Sequence, residues 1–165
     1  MRILIAYAGK TGGSAEMAEL LARSLPNHTV TLLDLRAQDI SPEGFDYVVL
    51  GGAIRFAKLP REAREYLKKY EKALSALPHT LFLCCAFAEQ FENYAERVFS
   101  NALRESAEEI LYFGGELNLS AQRGFDKIFV RMMRNSIRES EDDEAMLPGL
   151  LPEHVRLLAD RLRQR

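Results

Sequence analysis

Short, almost uninterrupted apolar runs alternate with longer segments of helical period along most of the 165-residue chain. That alternation narrows the fold more than any other feature. Residues 3–7 are apolar throughout and end at Gly9, as a strand covered on both faces would. Residues 14–25 place Met17, Ala18, Leu20, Leu21 and Leu25 at helical spacing, and Pro26 stops them. Residues 29–35, 45–51, 80–86 and 110–117 read as four further strands, rich in β-branched or aromatic side chains. The periodic segments between and after them are 61–74 behind Pro60, 93–107 with Asn93 as cap, 125–137, and 153–162 behind Pro152. The polar stretch 36–44, broken by Pro42, has room for one or two helical turns at most. Five strand–helix alternations predict a parallel sheet with helices on both faces, in a single domain spanning residues 1–165. Ligands of such sheets bind beyond the carboxyl ends of the strands, so the loops after strands one, three and four are the places to look.

Charge and cysteine usage remove several functions. Lysine and arginine number 22 against 24 acids, a formal charge of −2, which argues against a bulk nucleic-acid binder. Cys84 and Cys85 are adjacent, and neighbours in a strand face opposite ways, so no disulfide joins them. Two reduced thiols inside an apolar strand suit a cytosolic protein and act as inert packing. They and the scattered His28, His79 and His154 lack metal-ligand spacing, and no metal site is expected. No run approaches the ~18 apolar residues of a membrane span.

The loop after strand one carries the clearest chemistry. Gly9-Lys10-Thr11-Gly12-Gly13-Ser14 leaves a strand and enters a helix, whose first amides are unpaired donors with partial positive charge. Small residues let an anion approach those amides, Thr11 and Ser14 add hydroxyls, and Lys10 adds charge, so the loop reads as a phosphate cradle. The plainer reading is a glycine-rich turn into a capped helix. A Walker A loop would need glycine where Leu4 stands, and the Gly-x-Gly-x-x-Gly fingerprint would need it where Thr11 stands.

What remains resembles the flavodoxin phosphate loop, Ser/Thr-x-Thr-Gly-x-Thr/Ser, with Thr11, Gly12 and Ser14 in register and Gly9 replacing the first hydroxyl residue. Nearly the whole chain is similar to the flavodoxin superfamily. More narrowly it resembles the menaquinone-dependent protoporphyrinogen dehydrogenase family, through Gly51-Gly52-Ala53-Ile54-Arg55-Phe56, Tyr66-Leu67-Lys68-Lys69 and Leu77-Pro78. A second block comprises Gly115-Glu116-Leu117, Gly124 to Phe129 and Met132-Met133. The resemblance implies an α/β three-layer sandwich with a five-stranded parallel sheet of order 2-1-3-4-5, FMN as cofactor, two-electron redox chemistry and a cytosolic or membrane-peripheral setting.

In such proteins the loops after strands three and four hold the flavin ring, which is flat and apolar on its faces and polar along its edge. Gly51 to Ala53 supply small residues there, and Ile54 and Phe56 apolar cover. Arg55 is a cation suited to the anionic reduced ring, or else an ion-pair partner for Glu62 or Glu65. After strand four, Ala86 is followed by Phe87, Phe91 and Tyr94, which are candidates for stacking on the ring or for packing the helix entrance.

Residues 123–138 hold five basic residues on one stripe and Phe125, Ile128, Phe129, Met132 and Ile137 mostly on another. With Asp126 the net is +4, enough for peripheral membrane contact or docking to a quinone, or simply a solvated face. Residues 139–144 then carry five acids in six positions and can neutralise it. Three roles compete: an oxidoreductase passing electrons from a small-molecule substrate to a quinone, an electron carrier for a redox partner protein, and a binding module that has lost FMN. Gly9 favours the last.

Overall fold

The computed structural model describes residues 1–9, 12–115 and 149–165. Five strands form one sheet: β1 (Arg2–Ala8), β2 (Thr29–Asp34), β3 (Tyr47–Ala53), β4 (His79–Cys84) and β5 (Glu109–Tyr112). The order is β2-β1-β3-β4-β5, with every pairing parallel. The helices are α1 (Gly13–Arg23), α2 (Arg61–Ser75), α3 (Phe91–Val98), α4 (Asn101–Ser106) and α5 (Pro152–Arg163), with a short 3₁₀ turn at Ala88–Gln90.

Strand alternation divides the apolar residues between two cores. Ile3, Ile5 and Tyr7 of β1 join Tyr47, Val49, Phe82 and Cys84 against α1 and α5. Leu4, Ala6 and Ala8 join Val48, Leu50, Leu81 and Leu83 against α2, α3 and α4. Both faces being covered explains why β1, β3 and β4 are apolar without interruption. The sandwich expected from the alternation is the one observed.

Several boundaries differ from the sequence expectation, each for a physical reason. β3 starts two residues late and runs through Gly51 and Gly52 to Ala53. Gly52 and Ala53, expected in the loop, therefore belong to the strand. A Cβ on Gly51 would stand 1.9 Å from the Phe82 carbonyl oxygen and 2.7 Å from its ring, and one on Gly52 would stand 2.3 Å from the Ala8 carbonyl. The single helix expected over 93–107 is two. Phe99 turns extended and buries its ring, and Ser100 caps α4 by accepting from the Leu103 amide at 3.3 Å. Asn93 lies inside α3 and caps nothing. β4 stops at Cys84, and β5 stops at Tyr112 rather than 117. The helix expected over 125–137, the basic stretch 123–138, the acidic run 139–144 and most of the second resemblance block lie outside the described residues.

At the amino ends of β3, β4 and β5, a polar cluster ties the residues after α5 to the strands. Arg165 donates to both oxygens of Glu108, and the Tyr47 hydroxyl bonds to Glu108 Oε2 at 3.0 Å and to Thr80 Oγ1 at 2.8 Å. The Arg165 guanidinium holds the Glu108 carboxyl below the usual carboxylate range. A lowered carboxyl stabilises the fold above its unfolded-state value, and that contribution fades as pH falls through the folded value. Arg165→Ala is therefore expected to lower Tm at neutral pH and to shrink the further loss seen as pH falls below the ordinary glutamate range. Parallel acid limbs in wild type and variant, measured by thermal scans, would contradict this.

Candidate functional site

The carboxyl ends of β1, β3, β4 and β5 meet in a row. A Cβ on Gly9 would lie 3.5 Å from Ala53 Cβ, the Ile54 amide donates to the Cys84 carbonyl at 2.8 Å, and the Cys85 amide donates to the Gly114 carbonyl at 2.9 Å. Of the residues expected there, Gly9, Ala53, Ile54 and Ala86 stand on or beside this row.

The first part of the row is the entrance to α1. Gly12 precedes the helix at φ +93°, a left-handed conformation that glycine adopts without cost. Among the described residues no side chain caps the helix, and the Glu16 amide reaches back to the Gly12 carbonyl at 2.8 Å. The earlier amides of the first turn have no intrahelical acceptor. Ser14 in that turn is fully buried, and its hydroxyl has no hydrogen-bond partner among the described residues. A buried hydroxyl normally finds a partner, so an unmatched one beside uncapped amides marks a place built for an acceptor. Lys10 and Thr11 lie outside the described residues.

After β3, residues 55–58 close a tight hairpin turn. The Arg55 and Lys58 amides each donate to the other's carbonyl, at 2.9 and 3.0 Å. Phe56 and Ala57 take φ +49° and +57°, the pattern of a type I′ turn, which ordinarily carries Asn-Gly. Two non-glycine residues in this region are strained. Phe56 is more than half exposed, and the Arg55 guanidinium carbon lies 5.8 Å from its ring centre. Glu65 pairs with Arg61 at 2.6 Å. Ala57→Gly is expected to raise stability by about 1 kcal/mol, since relief of the left-handed strain outweighs the added chain entropy. An unchanged or lower urea midpoint would contradict it.

After β4, Phe91 and Tyr94 pack against the core on the α2 side, with Phe91 5.5 Å from the Tyr112 ring. Both stay partly exposed, as do Ala86 and Phe87. Tyr112 was not singled out by the sequence, yet its hydroxyl donates to the Cys85 carbonyl at 3.0 Å and so holds the turn out of β4. Burial pushes that phenol up to about 12, so it remains a donor. Gly114 and Gly115 are the accompanying signal. Gly115 leaves room for Cys85, whose backbone would stand 2.4 Å from a Cβ there. Burial also pushes up both thiols, Cys85 to about 11, which leaves them protonated packing. Leu150 was missed as well. Its side chain lies 3.3 Å from where a Gly13 Cβ would be, so the segment entering α5 is seated on the first turn of α1. No group of side chains suited to a metal ion occurs among the described residues, and no helix among them is long and apolar enough to cross a membrane.

Parallel order 2-1-3-4-5 and helices on both faces define a flavodoxin-like α/β protein. Among solved structures, a short-chain flavodoxin associated with a non-canonical PDU bacterial microcompartment superposes with a TM-score of 0.54 at 16% identity, over 82% of this chain and 98% of its own. The Flv1 flavodiiron core from Synechocystis sp. PCC6803 gives 0.51 at 10% identity, over 98% of this chain and 36% of its own. At such identities the likeness establishes the fold. No curated protein matches the sequence. The family model described as the flavodoxin domain matches residues 4–144, and the chain belongs to that family. Membership supports an FMN-binding redox protein.

Proposed function

We propose that this chain is an FMN-dependent oxidoreductase that binds the cofactor across the row of strand ends. The observation that carries the reading is the Ser14 hydroxyl, fully buried and, among the described residues, without a partner in a first turn that no described side chain caps. A phosphate there would accept from Ser14 and from the amides of Gly12 and Gly13, with Lys10 and Thr11 completing the loop. Gly9 and Gly12 keep side chains out of the cradle. Ala53, Ile54, Arg55 and Phe56 on one side, and Ala86, Phe87, Phe91 and Tyr94 on the other, would bracket the ring. Ile54 and the aromatics would exclude water, and Arg55 would hold positive charge near the ring's polar edge. Bound FMN supplies the exchange of electrons with the substrate. Cys84 and Cys85 take no part.

Within that reading, the resemblance of the Gly51 to Phe56 block supports a porphyrinogen as electron donor and a quinone as acceptor. The basic stretch 123–138 would be the docking edge at the inner face of a membrane, and the protein would otherwise be cytoplasmic. Two measurements test the proposal. Purified protein mixed with FMN is expected to turn yellow and retain the colour through desalting. The loaded protein is then expected to oxidise a porphyrinogen with menaquinone as acceptor, faster than with a redox partner protein. Colourless protein at saturating FMN would reject the cofactor reading. Yellow protein that reduces only the protein acceptor would make the chain an electron carrier.

A further inference from the structure

We infer that the outward face of α2 is a docking site for an acidic surface on a partner protein. The inference adds a partner and needs no bound cofactor.

Residues 58–72 hold six cations, Lys58, Arg61, Arg64, Lys68, Lys69 and Lys72, against three acids, in a chain whose formal charge is −2. Folding sorts them. Ala63, Tyr66, Leu67 and Leu74 turn the apolar side of α2 into the core, which leaves Arg61, Arg64, Lys68, Lys69 and Lys72 exposed. The acids nearby are already engaged. Glu65 pairs with Arg61 at 2.6 Å, Asp39 pairs with Lys69, Glu71 accepts from the Ser100 hydroxyl, and Glu62 faces Arg36 and Arg61. Arg64, Lys68 and Lys72 have no acid at ion-pair distance among the described residues.

These three follow one another at intervals of four. Arg64 and Lys68 are one turn apart, about 6 Å along the axis. Tyr70 then leaves helical backbone at φ −111° and ψ 15°, and Lys72 emerges exposed beyond that bend. Like charges one turn apart repel. The helix holds the remedy at Arg61 and Glu65 and does not repeat it. The arrangement destabilises the isolated chain, and a surface bearing carboxylates offsets that.

The chemistry of the face selects the partner. With its apolar side in the core, α2 has no apolar face to lay into a bilayer. Three cations in a chain of negative net charge meet too few phosphates to hold nucleic acid at ordinary salt. A transient protein contact needs little area and is steered by charge. The helix opens at Arg61, just past the 55–58 turn beside the candidate site, so a docked partner lies alongside that site.

The probe is an alanine-based helical peptide with three glutamates spaced by four, titrated into wild type and the triple variant Arg64→Glu, Lys68→Glu, Lys72→Glu. Amide NMR shifts report where it binds, and thermal scans report folding. Wild type is expected to bind at low salt with shifts confined to residues 61–72, and more weakly at physiological salt. The variant is expected to bind about tenfold more weakly, as loss of a few exposed ion pairs does. The same peptide with lysines for glutamates is expected to reverse that order. If the triple variant fails to fold, Lys68→Gln serves instead, with a few-fold loss of binding and a Tm no lower than wild type, since it relieves repulsion. Equal affinity of wild type and variant, or shifts spread over other surfaces, would overturn the inference. So would tighter binding of wild type to vesicles of equal phosphatidylcholine and phosphatidylglycerol, or to single-stranded DNA. Folded wild type that takes up no FMN would reject the cofactor reading and leave the docking face standing.

Discussion

Gly12→Asp abolishes FMN uptake, on two independent grounds. Gly12 sits at φ +93° at the entrance to α1. A side chain in left-handed backbone costs on the order of 1–2 kcal/mol. The larger effect is charge. A carboxylate beside the uncapped first turn competes for the amides a phosphate needs and repels it, and a unit pair at ~4 Å amounts to roughly 4 kcal/mol near a protein surface. Sterics play little part, because a Cβ at Gly12 meets nothing within 4 Å. Gly12→Asn separates the contributions, since asparagine tolerates the left-handed region and carries no charge. The expected order in a fluorescence titration is wild type, then Asn weaker by about tenfold, then Asp weaker by on the order of a further 1,000-fold, which puts it beyond detection. Equal affinities for Asp and Asn would remove the phosphate from this end of the sheet.

Phe82→Ala is expected to cost about 3–5 kcal/mol of stability. That is a large share of the roughly 5–15 kcal/mol that holds a domain together. Phe82 lies in β4 with no exposure, and its ring stacks on Phe113 with centroids 4.8 Å apart and planes 24° from parallel. Gly51 on the neighbouring strand has no side chain to close over the vacancy, because main chain and ring together leave room for none. The cavity should persist rather than collapse, placing the loss toward the upper end of that range. Urea unfolding should show a lower midpoint with an unchanged slope. A midpoint close to wild type would mean that this face of the sheet repacks freely.

How much of this was legible in the sequence varies with the range of the interaction. The strands were legible because burial on both faces leaves no polar alternation to confuse the reading. Residues 3–7 lie within β1, and the runs at 45–51 and 80–86 each overlap their strand. The break at Phe99 was not legible. Ala95, Val98, Phe99, Ala102 and Leu103 keep helical spacing across it, so period alone sees one helix. Ser100 was a cap signal, but one hidden within an apolar pattern. The turn at 55–58 was illegible for the opposite reason, since Phe56 and Ala57 occupy positions whose usual residues are asparagine and glycine. Gly51 looked like the end of its strand and Gly52 like loop, because glycine usually punctuates strands. Here they let the sheet continue where Phe82 and Ala8 approach too closely for any side chain.

Local pattern, read residue by residue, determined the layer architecture and pointed to the carboxyl ends of the strands as the candidate site. Strand and helix periods depend on neighbours in the chain, and ligands of an open parallel sheet bind beyond the carboxyl ends of its strands. Tertiary contact decided which glycines make room for packing, as Gly51 and Gly52 do for Phe82 and Ala8. Gly9 and Ser14 are five positions apart and look like separate parts of one loop. Only the fold brings the hydroxyl of one into the space left by the other, 1.9 Å from where a Gly9 Cβ would stand.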